Sequence, residues 1–399
     1  MRLTDMATNT DIPQGYKATA LGIIPQEWEV KTLGNIAEIN PSKGKITSKV
    51  VTFLAMSDIS EQGGVINENI LPIDSIKPGL TPFRKGDVII AKITPCFENG
   101  KGALLDKITE DDGFGSTEFH VIRCQQDNKF VYYHTQSYAF RKRLESQMTG
   151  SAGQKRVPAD SVAAYKIAVP PLAEQRKIAE VLGVWDEAIE KQARLIEKLA
   201  LRKRGLMQRL LSAKLRLPGF SGPWKELKIN KITIIRKGEQ VNKDVLFSNA
   251  KYPVINGGIT PSGYLDIYNT KANTITISEG GNSCGYVNFM TTPFWSGGHC
   301  YTIEAKDGIN NLFIYQLLKN NEKYIMSLRV GSGLPNIQIK DLGNLKFMIP
   351  TYQEQTAIAE VLTASDREIE LAKEKLERLR RQKRGLMQQL LTGKKRVKY

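Results

Sequence analysis

Cysteine and histidine are scarce in this 399-residue chain, with four of the first and three of the second. Cys96, Cys124, Cys284 and Cys300 form no Cys-x-x-Cys pair, and the neighbours His299 and Cys300 offer two ligands where zinc takes four. No metal site is expected, and the thiols read as free cysteines of a reducing, cytoplasmic setting. No stretch approaches the roughly 20 apolar residues that span a bilayer. The opening Met1–Asp11 has no apolar core of a leader peptide. Acidic residues fall short as well: 41 Asp and Glu face 57 Lys and Arg, for a net charge of +16. Such an excess points to a polyanionic partner, either nucleic acid or an anionic membrane surface. The plain alternative is a soluble protein that is merely basic.

Catalytic signatures are also missing. There is no Gly-x-x-x-x-Gly-Lys-Ser/Thr loop, so ATP hydrolysis is not expected. There is no Asp/Asn-Pro-Pro-aromatic loop of an amino-methyltransferase; Asn40-Pro41-Ser42 is not one. Glu304-Ala305-Lys306 fits the Glu-x-Lys text of a metal-dependent nuclease, but so does Glu29-Val30-Lys31. Such triplets are common when a quarter of the residues are charged. The glycines of Glu279-Gly280-Gly281-Asn282 open no convincing βα unit, which argues against a nucleotide site. No catalytic residue is expected.

What the chain does contain is a repeat. Glu174-Gln175-Arg176-Lys177-Ile178-Ala179-Glu180-Val181-Leu182 returns at 354–362 with seven of nine residues identical. Lys203-Arg204-Gly205-Leu206-Met207-Gln208-Arg209-Leu210-Leu211 returns at 383–391 with eight of nine identical. Both blocks share one offset (354 − 174 = 383 − 203 = 180). The echo of Trp28 in Trp224 has another (224 − 28 = 196), so the second copy is 16 residues shorter between its tryptophan and its helix. Helices of one length thus carry segments of different length.

The apolar positions of the first block run Ile178, Leu182, Trp185, Ile189, Ile196, Leu199, Leu206 and Leu210. Steps of four and three make a coiled-coil seam, broken by Gln192 and Lys203. The second runs Ile358, Leu362, Ile369, Ala372, Leu376, Leu379, Leu386 and Leu390, broken by Ser365 and Lys383. Pro170, Pro171 and Pro350 stand at the helix starts, and Glu174 and Glu354 follow in first turns where the dipole favours a carboxylate. Each helix of about 40 residues would be about 60 Å long. The expected partner of each is its own copy, antiparallel, though packing on its own domain is the simpler alternative.

The spacing predicts an α+β protein with a pseudo-two-fold repeat. Its parts are an N-terminal tail over 1–22, a first module over 23–165, a helix over 170–213, a second module over 216–348, a helix over 351–392 and a basic tail over 393–399. In the modules short β-type runs, such as Gly86–Ile93 and Asn273–Ser278, alternate with Gly, Asn and Pro turns. A helix is expected over Phe130–Met148 and another over Asn311–Leu328. The loops Thr94–Gly102, Gly113–Glu118, Glu279–Gly285 and Phe294–His299 follow strands, as binding loops do; for any one of them a mere turn is the plainer reading.

Leu172-x-Glu174-Gln175, Ile178-Ala179-Glu180-Val181-Leu182 and the basic block ending at Leu211 resemble the specificity subunit of type I restriction–modification systems. So do their copies from Gln353 to Leu391, the opening Ile24-Pro25-Gln26-Glu27-Trp28, and Gly331–Ile337. The resemblance covers nearly the whole chain. It implies two target recognition domains, each reading half of a split DNA site, on an antiparallel coiled coil that sets the gap. It also implies two methyltransferase subunits docked on the helices, with restriction (motor–nuclease) subunits joining them. S-adenosylmethionine, ATP and Mg would bind those partners, leaving this chain without a cofactor and without catalysis of its own.

Under that reading phosphate contacts from Lys and Arg supply affinity, and loop side chains at base edges supply specificity. The candidates in the first module are Lys92, Asn99, Lys101, Ser116, Thr117, Gln154, Lys155 and Arg156. In the second they are Asn256, Ser278, Asn282, Ser283, Ser296, His299, Asn336 and Gln338. From Lys373 to Lys398 there are eleven Lys or Arg and two acids, a surface for partner and DNA contact or only a solvated face. A membrane role is disfavoured because the apolar stripe is taken by the seam. Two other readings compete: a fused nuclease or methyltransferase, and a scaffold that ignores DNA.

Overall fold

The computed structural model describes residues 12–398 apart from 45, 152 and 332–334. The chain divides into two compact units, 1–191 with 376–399, and 192–375. Each takes one module, the first half of the long helix that follows it, and the second half of the other long helix. These helices are Leu172–Leu210 and Tyr352–Leu391, against the expected 170–213 and 351–392.

In the first unit, Glu29–Thr32 pairs antiparallel with Lys166–Val169, the strand just before the long helix. This strand lies beyond the expected module boundary at 165. An antiparallel sheet of four strands follows, in the order Ala37–Ile39, Phe119–Cys124, Val88–Ala91, Gly102–Leu104. A second sheet has the order Asn69–Pro72, Val50–Leu54, Asp112–Gly115, Thr81–Arg84, and its central pair is parallel. The expected tail contains a hairpin, Tyr16–Thr19 with Gly22–Pro25; residues 1–11 lie outside the described residues.

The second unit repeats the plan. Lys225–Lys228 pairs with Lys346–Ile349. Its main sheet runs Thr233–Lys237, Cys300–Ala305, Thr274–Ser278, Val287–Met290. Its second sheet has three strands, Gly263–Leu265, Tyr252–Ile255 and Trp295–Ser296, again with one parallel pair. A shortening of this size falls here, while the stretches before and after it differ in opposite senses and cancel. From Val50 to Val88 is 88 − 50 = 38 positions, and from Tyr252 to Thr274 is 274 − 252 = 22. The first unit spends the excess on the strand Thr81–Arg84 and its approach.

Each expected module helix is broken in two: Asn128–Thr135 and Tyr138–Glu145 in one unit, Asn311–Asn320 and Glu322–Ser327 in the other. The cause is local. The Ser137 hydroxyl accepts from Phe140 N and starts a new helix, and Asn321 occupies the corresponding joint.

Of the seam positions, Ile178, Leu182, Leu199, Leu210, Ile358, Leu362, Ala372, Leu376 and Leu390 are buried, whereas Trp185, Ile189, Ile196, Leu206, Ile369, Leu379 and Leu386 are half-buried. Ile178, Ala179 and Leu182 share a buried core with Met387, Leu390 and Leu391 in the first unit. Ile358, Ala359 and Leu362 share one with Met207, Leu210 and Leu211 in the second. Each fully buried Leu or Ile is worth roughly 2 kcal/mol. The helices run antiparallel in both units. In the first, Glu174 bonds Arg396 and Asp186 bonds Lys383; in the second, Gln192 bonds Ala372 O and Lys203 bonds Asp366. The polar seam positions are therefore satisfied rather than left as defects.

Candidate nucleic-acid interface

The frame that holds each module to its helices is built from the repeated Glu-Gln pair. Glu174 is fully buried and accepts from Trp28 Nε1 at 3.0 Å and from Arg396 at 2.6 and 2.8 Å. Glu354 accepts from Trp224 Nε1 at 3.2 Å and from Arg216 at 2.6 and 2.8 Å. Gln175 and Gln355 each donate to the proline carbonyl before their helix, both at 2.9 Å. The clamping arginine of each unit follows the end of the other long helix. Arg216 and Arg396 keep the 180-residue offset (396 − 216), so the repeat runs further than the helical blocks disclosed. The hydrogen bonds to Glu174 hold the Arg396 guanidinium above its usual range. The basic tail is thus partly consumed by the frame: Arg396 is clamped and Val397 packs on the core.

A second pair of contacts ties the module helices down. Asp186 accepts from Tyr133 at 2.7 Å and from Lys383 at 2.5 Å, and Asp366 accepts from Gln316 at 2.8 Å and from Lys203 at 2.5 Å. These four helix residues also obey the offset of 180.

On this frame the central strands Val88–Ala91 and Thr274–Ser278 are buried end to end. Their next residues, Lys92 and Glu279, begin the candidate loops. The backbone around them is superimposable in its bonding. Lys92 N donates to Glu118 O and Glu279 N to His299 O, both at 2.9 Å. Val157 N donates to Lys92 O at 2.8 Å and Ile337 N to Glu279 O at 2.9 Å. The ring above each closes the motif: His120 Nε2 meets Val157 O at 2.8 Å and the Tyr301 hydroxyl donates to Ile337 O at 3.0 Å. A carbonyl only accepts, so His120 carries its proton on Nε2. Burial first keeps that imidazole below its usual range.

In the first module Lys92 lines a cleft of about 260 Å³ together with Asn40, Thr81 and Phe119. Of the expected residues, Asn99, Thr117, Gln154 and Lys155 are exposed. Asn99 donates to Glu61 at 2.9 Å. Three are already engaged. Lys101 Nζ donates to Met56 O, the Ser116 hydroxyl accepts from Glu118 N, and Arg156 is held by both oxygens of Glu118.

In the second module the expected residues converge around Gly257 and Glu279. Ser278 and Ser283 both donate to Gly257 O at 2.5 Å, and Asn256 Oδ1 accepts from His299 N at 3.1 Å. Gly257 has φ +82°, and a Cβ there would meet His299 O at 2.7 Å, so the turn requires glycine. Asn282, His299 and Gln338 are exposed, and Gln338 donates to Asn336 Oδ1 at 3.1 Å. Ser278 and Ser296 do not face solvent: both lie within the sheets, 4% and 2% exposed, and the Ser278 hydroxyl is used on Gly257 O inside the module.

Two residues absent from the expected set stand at the centre. Glu279 is 9% exposed, and its Oε1 accepts from Lys237 at 2.6 Å and Tyr301 at 3.0 Å. Burial first, and then the bond to Glu279, push the Tyr301 phenol well up. The nuclease triplet dissolves. Glu304 pairs with Arg236 at 2.6 Å, while Lys306 donates to the carbonyls of Asn230 and Lys231. Among the described residues no cluster of His, Cys, Asp and Glu could hold a metal, and no helix is long and apolar enough to cross a membrane.

Residues 25–200 and 222–381 match the family described as the type I restriction modification DNA specificity domain. The chain belongs to this family. Two copies of the domain therefore fill most of its length. Its relatives include the EcoAI specificity subunit of Escherichia coli, 42% identical over 160 residues, or 39% of this chain and 27% of that protein. The match thus spans about a quarter of that subunit. The putative MjaX specificity subunit of Methanocaldococcus jannaschii is 26% identical over 430 residues, covering 96% of this chain and 97% of its own. The fold is that of the type I S subunit from M. genitalium, with TM-score 0.62, 20% identity and coverage of 91% of this chain and 96% of that one. The long paired helices and two mixed modules are accordingly the architecture of this family. Of the family-like stretch Gly331–Ile337, residues 332–334 lie outside the described residues.

Proposed function

We propose that this chain is a DNA-reading specificity subunit, with each module reading one half of a bipartite site and the paired helices fixing the spacer. One observation carries the reading. Two modules share a backbone frame to the level of single hydrogen bonds, yet present different side chains at the ends of equivalent strands. A fixed frame with variable loops suits a task in which position is constant and sequence varies. The charge of +16 supplies the phosphate attraction such a task needs.

In this reading the outer faces of the helices dock two methyltransferase subunits, which flip and methylate the target adenine and hold S-adenosylmethionine. Restriction subunits with ATP and Mg join through that complex. The chain does no catalysis alone. The test is retention of duplex DNA by the purified complex at rising salt. Specific retention that moves with the module identity supports the reading, and equal retention of any duplex counts against it.

A further inference from the structure

We infer that Lys92 and Glu279 are charge-inverted specificity determinants, so that the first half-site is read through a base acceptor and the second through a base amino group. This rests on the reading of the modules proposed above. The two residues occupy one place in the frame: each follows the buried central strand, donates its N–H to the facing strand and accepts from the same returning segment. At that one place the module carries an ammonium in one copy and a carboxylate in the other.

The chemistry of the two groups is opposite. An ammonium has three donors and no acceptor, and it pairs with guanine O6 and N7 in the major groove. An ionised carboxylate only accepts, and it pairs with the exocyclic amino group of cytosine or adenine. Each group keeps hydrogen-bonding capacity unused inside its module: the ammonium in the first, one carboxylate oxygen in the second. Lys92 faces an open cleft, and no hydrogen bond to its ammonium exists among the described residues. Glu279 uses Oε1 for Lys237 and Tyr301, but its Oε2 is buried without a hydrogen-bond partner. An unpartnered buried carboxylate oxygen is costly, and a donor from outside would relieve it. His299 covers that oxygen, with Nδ1 at 3.5 Å, and the His299 side chain is itself 61% exposed. Rotation of that exposed ring would draw Nδ1 away from Oε2 with no change in the strand. Lys237, bound to the other oxygen and 53% exposed, stays placed for a phosphate.

The experiment uses the complete system in cells, with modified bases mapped across the genome. Glu279→Gln keeps the shape and gives the site a donor. Lys92→Gln removes the charge from a half-buried, unpaired side chain, so it tests the same inference without touching a core bond. Each variant is expected to lose roughly tenfold of its discrimination at a single base pair. The affected pairs should lie in opposite half-sites. The wild-type base should bear an acceptor at the Lys92 position and an amino group at the Glu279 position. The inference is overturned if either variant keeps full stringency, or if discrimination weakens evenly along a half-site. It is also overturned if the wild-type bases carry the opposite groups. Exchange of the whole first module separates the two ideas. If that exchange moves a half-site while both point variants leave it intact, the charge inversion fails and the reading stands. If the exchange moves nothing, the reading itself fails.

Discussion

At the scale of single residues, the structure concentrates its energy in a few buried polar groups. Glu174 is the sharpest case, because one buried carboxylate accepts from both Trp28 and Arg396, with only the exposed Glu27 as a further acceptor for the arginine. Glu174→Ala strands the Trp28 indole N–H and leaves Arg396 with Glu27 alone, and we expect a loss of about 3 kcal/mol, read by chemical denaturation. Unchanged stability would mean that the clamp is ornamental. His134 makes a pH prediction. Burial lowers its pKa from 6.5 to about 3, so the folded state holds it neutral. The unfolded chain takes up a proton below about 6.5 that the folded chain refuses. Stability is therefore full above that value and falls as the solution is acidified from 6.5 toward 3. The slope is roughly 1.4 kcal/mol per pH unit from this group. His134→Leu should flatten that slope between pH 6.5 and 4, and an equally steep fall in the variant would assign the acid sensitivity elsewhere.

At the scale of elements, the two long helices end differently. Gly393, with φ +70°, closes the second helix, and a Cβ there would meet Pro25 Cδ at 2.3 Å. Its copy, 180 residues earlier, is Ala213 at φ +58°. A left-handed alanine costs about 1 kcal/mol relative to glycine. Ala213→Gly should raise the melting temperature by a few degrees, whereas Gly393→Ala should lower it. Equal and small effects would show that the ends are not strained. The helices were the part most legible in the sequence, since offset, seam and bounds all follow from periodicity. The module helices were less so. Phe130–Met148 and Asn311–Leu328 look continuous by composition, yet Ser137 caps the start of a new helix in one and Asn321 donates to Leu317 O at the end of the first helix in the other. The clamp was written in the sequence but lay past the apolar pattern, at Arg216 and Arg396. Glu279 was hidden for another reason. Nothing in Glu279-Gly280-Gly281-Asn282 marks it as buried, because its partners Lys237 and Tyr301 are distant in sequence.

At the scale of the whole molecule, the claim is that two separable readers share one chain. The helices would act as the ruler between half-sites. Four residues added after Ala193, with four added at the facing level of the second helix, should alter the spacer and leave both half-sites unchanged. A spacer of the old length would remove the helices from that role. The most direct measurement remains the recognition sequence itself. Residues 23–169 would be replaced by the corresponding module of another family member, and the methylated adenines mapped in cells carrying the complete system. The expected result is a bipartite site in which one half is new and the other is retained. A site changed in both halves, or in neither, would contradict it.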